Sequence, residues 1–315
     1  MQLLITGGAG FIGSHIAEQS LARGWKVAVL DDLSSGRRDN VPAGAEFFQV
    51  DIQDPVAVEK AFAAFQPEAV SHQAAQASVA ISVREPQKDA SINILGSLNI
   101  LQAGVAHKVR QIVFASTGGA IYGEVPEGTR AAVSTLPVPV SPYACSKFAV
   151  EKYLECFRKE HGLNYNVLRY ANVYGPRQDP HGEAGVVAIF CNRMLANESI
   201  RIFACRTVGD PGCVRDYVFI DDVVKANIAA LEGRIPDRIL NVGTGQESTT
   251  KQVAESIQSS LGSRSEILFG ACRAGDVERS LLDADRLVEL LGPTVTVGDG
   301  LARTAQWFRA RLSNP

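Results

Sequence analysis

The pair with the clearest chemical potential is Tyr143 and Lys147, in the run Tyr-Ala-Cys-Ser-Lys. On a helix, positions i and i+4 share one face about one turn apart, so phenol and ammonium can point the same way. A phenol alone, with a pKa of about 10, is a poor base at neutral pH. A neighbouring cation favours the phenolate and lowers that value, which makes the two residues a proton-transfer pair. Upstream lie the hydroxyls Ser116 and Thr117, followed by Gly118-Gly119-Ala120-Ile121-Tyr122-Gly123. Hydroxyls at the carboxyl end of a strand face a ligand crevice in a doubly wound sheet, so both are candidates to bond a substrate hydroxyl.

These groups need elements to hold them. After Lys147 the apolar pattern Phe148, Val150, Tyr153, Leu154, Phe157 has helical spacing and runs to Gly162, a helix stop. Gln111–Ala115 reads as the strand that delivers Ser116 and Thr117. At the chain start an apolar strand, Leu3–Thr6, leads into Gly7-Gly-Ala-Gly10-Phe11-Ile12-Gly13 and a helical stretch to Arg23. Gly7 and Gly10 permit a tight turn and close backbone approach to a pyrophosphate at a helix N-terminus, and Gly13 lets helix pack on strand. A second strand, Lys26–Leu30, ends in Asp31-Asp32; a carboxylate there accepts from adenosine ribose hydroxyls and repels a 2′-phosphate, so Asp31 predicts NAD over NADP. Ser35 and Gly36 close that turn.

Strand Glu46–Val50 ends in Asp51-Ile52, placed to meet an adenine, and helix 55–66 and strand Ala69–His72 follow. The small residues of His72-Gln73-Ala74-Ala75 serve either close backbone approach to a cofactor or tight packing. A long helix is expected over Pro86–His107, with Asn93 as either a solvated amide or a support for the sheet. Strand Asn164–Arg169 leads to Tyr170 and Asn172, then a loop over 182–185 and a helix through Ala196. The fold expected is α/β: a Rossmann-type doubly wound parallel sheet from residues 1–171 plus about 213–242, with a smaller C-terminal substrate lobe from about 172–212 and 243–315.

Composition narrows the classes. Net charge is −3, so no electrostatic footprint for nucleic acid or an anionic membrane exists. No apolar run reaches the ~18 residues of a membrane span, and Met1–Ile5 reads as a strand rather than a signal peptide. Six scattered cysteines without a C-x-x-C pair predict reduced, mostly buried thiols, Cys145 among them, in a cytoplasmic protein. Five histidines without ligand spacing predict no metal.

The glycine spacing, Asp31, Asp51-Ile52, His72–Ala75, the hydroxyls before Tyr122-Gly123 and Tyr143-x-x-x-Lys147 occur together and in order. The chain thereby resembles the extended short-chain dehydrogenase/reductases, and within them the UDP-glucose 4-epimerase family, over nearly its whole length. The resemblance implies a tightly bound NAD touched by Phe11, Ile12, Gly13, Asp31, Asp32, Ser35 and Gly36, by Asp51, Ile52, Gln73, Ala74, Ala75 and Asn93, and by Tyr143, Lys147 and Tyr170. It implies a UDP-sugar held by Thr117, Gly118, Tyr143, Asn172, Arg215, Arg273, Asp276 and Ser280. The two arginines suit a diphosphate because guanidinium bonds phosphate oxygens bidentately. In the family mechanism the phenolate takes the sugar 4-hydroxyl proton while NAD accepts the C4 hydride; the 4-keto sugar turns over and recovers the hydride on its other face.

Two departures matter. Many relatives carry the third catalytic hydroxyl as a Ser where this chain has Gly118, which leaves Thr117 first and Ser116 second. The small Ser280 stands where strict UDP-galactose epimerases carry Tyr, which implies acceptance of UDP-GlcNAc and UDP-GalNAc. Dehydratase and decarboxylase relatives place carboxylates in the loop that here is Gly118-Gly119-Ala120. The rival readings are another NAD-dependent enzyme acting on nucleotide sugars and, in a different class, a non-catalytic NAD sensor. The family's use of its two long helices implies a homodimer through 86–107 and 143–161.

Overall fold

The computed structural model describes residues 1–180, 185–273 and 277–313. In chain order the elements are β1 (Gln2–Thr6), α1 (Phe11–Leu21), β2 (Lys26–Asp31), β3 (Glu46–Gln49), α2 (Pro55–Phe65), β4 (Ala69–His72), α3 (Val79–Arg84), α4 (Pro86–Ala90), α5 (Ser97–Ala106), β5 (Gln111–Thr117), α6 (Gly118–Ile121), α7 (Pro142–His161) and β6 (Tyr165–Tyr170). They continue with β7 (Asn172–Tyr174), α8 (Val186–Leu195), β8 (Ile200–Phe203), β9 (Val214–Phe219), α9 (Ile220–Leu231), β10 (Ile239–Val242), β11 (Glu247–Thr249), α10 (Thr250–Leu261), β12 (Ile267–Gly270), β13 (Arg279–Ser280), α11 (Asp285–Leu291) and α12 (Val297–Ser313).

The chain divides into two units: Met1–Thr117, Pro139–Arg169 and Val224–Leu240 form the first, Gly118–Val138, Tyr170–Val223 and Asn241–Pro315 the second. The seven-stranded sheet runs β10-β6-β5-β4-β1-β2-β3, the doubly wound order the βα alternation dictates, and β3-β2-β1-β4-β5 pair in parallel. Its strands are buried apolar runs such as Leu3, Leu4 and Ile5 because helices cover both faces. One core contains Leu4, Leu30, Phe62, Val70, Leu101 and Phe114, and it also takes in Val150 and Leu154 of α7.

In the second unit β9 lies between β11 and β13 and also pairs with β7, while β8 and β12 form a separate pair. Of the stretch 213–242 expected to rejoin the large sheet, β10 does so and β9 does not. The reason is pairing: antiparallel β11 and parallel β13 flank the first half of β9, and parallel β7 takes up its second half. Residues 182–184 of the expected loop, and Asp276, lie outside the described residues. No helix among the described residues is long and apolar enough to cross a membrane.

Local signals explain the helix that matters most. Ser141 caps α7, its Oγ accepting from Ala144 N at 3.2 Å, and Pro142 occupies the first turn. The stop is Gly162 at φ +71°, a left-handed cap with Arg158, Lys159 and His161 in the last turn. The helix expected over 86–107 is interrupted: α4 passes through a π turn at Ser91–Gly96 before α5. Such a bulge re-aims side chains, here Asn93.

Candidate active site

The glycine turn is built for close approach. Gly7 has φ +67°, and a Cβ there would meet Ala74 N at 2.6 Å; one at Gly13 would sit 2.3 Å from Gly7 O. Phe11 and Ile12, both half-buried, open α1 beyond that turn. Asp31 is buried; its Oδ2 accepts from Ala9 N and its Oδ1 from Leu33 N, both at 2.9 Å. Burial raises its carboxyl pKa, and those two backbone bonds oppose the rise. A Cβ at Gly36 would lie 2.7 Å from Asp31 Oδ1, so glycine keeps that carboxylate approachable. Asp32 is exposed and holds Ser34, and the next residue, Ser35, is exposed too.

The other expected cofactor residues fall into two groups. Ala74 and Ala75 are half-buried in the loop after β4, where Ala74 N donates to Thr6 Oγ1 at 3.2 Å. The remainder are engaged by the protein. Asp51 is bonded by Gln53, the Ile52 side chain is in the core with its carbonyl accepting from Asn99, and Gln73 Nε2 reaches Ser71 Oγ and Asn227 Oδ1. Asn93 is 2% exposed: Oδ1 accepts from Gln76 N at 2.9 Å, and Nδ2 faces Gln76 O, Asp89 Oδ1 and Ser146 Oγ at 2.9, 3.0 and 3.2 Å. It is a clamp on the loop rather than a solvated amide.

Tyr143 and Lys147 share the first turns of α7. Thr117 is near enough to the Tyr143 phenol to favour its ionised form. Ser116, the neighbouring hydroxyl, is drawn elsewhere: its Oγ donates to Glu151 Oε1 at 2.6 Å. Glu151 in turn is gripped by Arg169, Nε at 3.0 Å and Nη2 at 2.6 Å, a forked pair with both side chains at most 3% exposed. Two hydroxyls adjacent in sequence thus have different surroundings.

The expectation that Lys147 depresses the Tyr143 pKa is not met. The phenol is pushed up to about 12, chiefly by burial and then by the Asp89 carboxylate, with the Thr117 bond pulling the other way. The Lys147 ammonium is turned to Ala115 O at 2.9 Å and lies 4.8 Å from the Phe114 ring centroid. Burial brings it down to about 8, against the pull of Asp89. Beside it His72 bonds Thr6 Oγ1 at 2.6 Å and Ser97 Oγ at 2.9 Å, and burial followed by Lys147 holds its pKa at about 3, so it is neutral.

In the second unit Gly118 opens α6 and is buried. Ser280 is 2% exposed, and its Oγ donates to Gly119 O at 3.2 Å. Asn172 Nδ2 donates to Asp216 O at 3.1 Å, and Tyr170 is buried. Arg215, half-buried, donates from Nη1 to Val214 O at 2.9 Å and Glu278 O at 3.2 Å. Arg273 is exposed, its guanidinium 3.6 Å from the Phe203 ring centroid.

Sequence reasoning missed Glu151 and Asp89. Glu151 carried a signal, since Tyr143, Lys147 and Glu151 are spaced four apart on one helical stripe. Asp89 sits four before Asn93, but an acidic residue in a first helical turn is ordinary. Cys145, expected buried, is exposed, as are Cys156 and Cys272. Position 145 lies about 200° around α7 from Tyr143, on the face turned from the core.

Residues 3–243 match the model of the NAD-dependent epimerase/dehydratase family. The UDP-glucose 4-epimerase of Thermus thermophilus, solved with NAD, is 51% identical over 98% of this chain and 99% of its own, with a TM-score of 0.94. That of Thermotoga maritima, solved with UDP-glucose, is 47% identical over 99% and 100%, also at 0.94. The UDP-glucose 4-epimerase of Mycolicibacterium smegmatis is 43% identical over 98% of this chain and 99% of its own.

Proposed function

This chain belongs to the NAD-dependent epimerase/dehydratase family, and from that premise we infer that it interconverts UDP-glucose and UDP-galactose with tightly held NAD. The observation that carries the reading is Thr117 acting on the phenol of the Tyr143-x-x-x-Lys147 pair, followed by the Gly118-Gly119-Ala120 stretch without any carboxylate. Dehydration needs an acid at that place for protons at further carbons; epimerisation at C4 does not.

The residues present fit the cofactor. A side chain at Gly7 or Gly13 would collide with backbone, so the turn is left open for a pyrophosphate, and the Asp31 carboxylate stands ready for ribose hydroxyls. Gly7, Gly10, Gly13, Asp31 and the Ala74-Ala75 loop would hold it, with Lys147 toward the nicotinamide ribose. When bound, NAD takes up and returns the C4 hydride, so it does not appear in the net reaction.

The protein's own part is proton transfer and grip. Tyr143 takes the sugar 4-hydroxyl proton and gives it back after the 4-keto sugar has turned. Thr117 bonds the same hydroxyl and orients it. Free of ligand, the phenol is far too weakly acidic for this at neutral pH. A positive charge near the phenol favours its ionised form, and Lys147 on the same helical face is the residue to supply it. Asn172, Arg215, Arg273 and Asp276 grip the nucleotide diphosphate and its ribose. The small Ser280 leaves room for an N-acetyl group, which extends the substrates to UDP-GlcNAc and UDP-GalNAc. The protein is a homodimer through the helical stretches 86–107 and 143–161.

The test is UDP-galactose incubated with purified protein, without added NAD, and the nucleotide sugars resolved by chromatography. Conversion to UDP-glucose, abolished in Tyr143→Phe, is expected; no conversion even with NAD added would overturn the reading. Parallel incubation with UDP-GlcNAc decides the role given to Ser280.

A further inference from the structure

Asp89 has no part in the proton-transfer scheme, yet it is 1% exposed and stands among the groups that hold the scheme together. Its Oδ1 accepts from Gln76 Nε2 at 2.9 Å and Asn93 Nδ2 at 3.0 Å. Its Oδ2 is buried and meets no hydrogen-bond partner among the described residues. Leaving half a carboxylate unbonded in the interior is costly, more so than an amide of the same shape.

Its connections lead to the reacting pair. Asn93 Nδ2 lies 3.2 Å from Ser146 Oγ, which donates to Tyr143 O at 2.9 Å. Asn93 and Gln76 also exchange two bonds, Gln76 N to Oδ1 and Nδ2 to Gln76 O, each at 2.9 Å. One carboxylate therefore orients the amides that tie the loop after β4 to the first turn of α7.

We propose that Asp89 is a positioning residue for the proton-transfer pair: through Asn93 and Ser146 it sets the turn carrying Tyr143 and Lys147, and its charge sets the pH range in which that pair works. The inference rests on the epimerase reading for its kinetics, though not for its spectroscopy.

Few other ionisable groups face this region. From β4 comes His72, held neutral; from α7, besides Tyr143 and Lys147, comes Glu151, neutralised by Arg169. The ionisable groups near Asp89 on α3 and α4 are Arg84, Glu85 and Lys88, all exposed, the last two paired with each other at 3.4 Å. The π turn, α5 and β5 bring no ionisable side chain. Asp89 is thus the buried carboxylate that acts on the pair. It opposes phenolate formation at Tyr143 and favours the ammonium at Lys147.

Asp89→Asn keeps an oxygen for Gln76 and Asn93 but removes the charge; Asp89→Ala removes both. Each is compared with wild type by the pH profile of kcat/KM for UDP-galactose on the NAD-loaded enzyme. The Tyr143 phenol is titrated directly by ultraviolet tyrosinate absorbance, with Tyr143→Phe as the subtraction. In Asp89→Asn both limbs of the profile, and the tyrosinate midpoint, are expected to move to lower pH by about one unit. In Asp89→Ala kcat should fall about tenfold further with KM little changed, as the turn loosens. If Asp89→Ala does not fold, Asp89→Asn alone decides. An active wild type whose profile and tyrosinate midpoint are unmoved in Asp89→Asn would overturn the proposal. A wild type inactive on every nucleotide sugar overturns the epimerase reading instead, and the tyrosinate titration then still judges Asp89.

Discussion

The surroundings of Tyr143 and those of Arg215 and Arg273, the arginines proposed for the diphosphate, are built on opposite plans. Around Tyr143 and Lys147 nearly every polar group is buried and committed: Ser116 to Glu151, Glu151 to Arg169, His72 to Thr6 and Ser97, Asn93 to Gln76 and Ser146. In the second unit Arg215 is half-buried and bonded, among the described residues, to carbonyls, and Arg273 is exposed on the Phe203 face. The difference follows from what each group must do. A phenol and an ammonium have pKa values that burial and neighbours can move, so proton transfer needs a fixed, dry environment. A guanidinium stays charged whatever surrounds it, so a diphosphate can be met by arginines that water still reaches.

This contrast can be broken by substitution, beginning where the largest effect is expected. Tyr143→Phe should lower kcat by about 10⁴-fold, the upper range for a positioned acid–base group, with the fold intact by circular dichroism. Glu151→Ala strands the Arg169 guanidinium in the interior and should cost about 4 kcal/mol of stability, read from urea unfolding midpoints; a variant within about 1 kcal/mol of wild type would show that the buried pair is not what stiffens this region. Arg215→Ala should weaken UDP-sugar binding roughly 50-fold while leaving stability nearly unchanged, with the loss in KM rather than kcat. A collapse in stability there would end the contrast.

The smallest effect sharpens the comparison through pH. His72 has a folded pKa of about 3 against 6.5 for the free side chain. The unfolded chain therefore takes up the proton first as pH falls, and stability is lost progressively from about 6.5 down to about 3. At about pH 5 the loss from this group should be about 1–2 kcal/mol relative to about pH 7. His72→Asn should flatten that part of the stability curve, as measured by urea unfolding at the two pH values. An unchanged slope would mean that His72 is not buried neutral.

Much of the framework was legible because its signals are local. The glycine spacing, the serine cap and Gly162 stop of α7, and the apolar runs of the strands each depend on a few successive residues. β4 was placed residue for residue, and α7 differs from expectation by the single residue Pro142. The π turn at Ser91–Gly96 was not legible, because no proline within it marks a break in the helical pattern. β9 was misassigned because strand identity is local while strand partnership is not.

By itself the sequence determined the helix that carries Tyr143 and Lys147 on one face, the turn that only glycine can make, and the carboxylate at the end of β2. Only the tertiary structure decided where Ser116 is engaged: Ser116 and Thr117 are equivalent as text, and a glutamate 35 residues downstream of Ser116 accepts its hydroxyl. It also set the direction of the Tyr143 shift, because burial and then Asp89 raise the phenol's pKa more than Thr117 lowers it. Periodicity and capping are set by neighbours in the chain. Desolvation and long-range partners depend on residues dozens of positions away, and these are known only once the chain has folded.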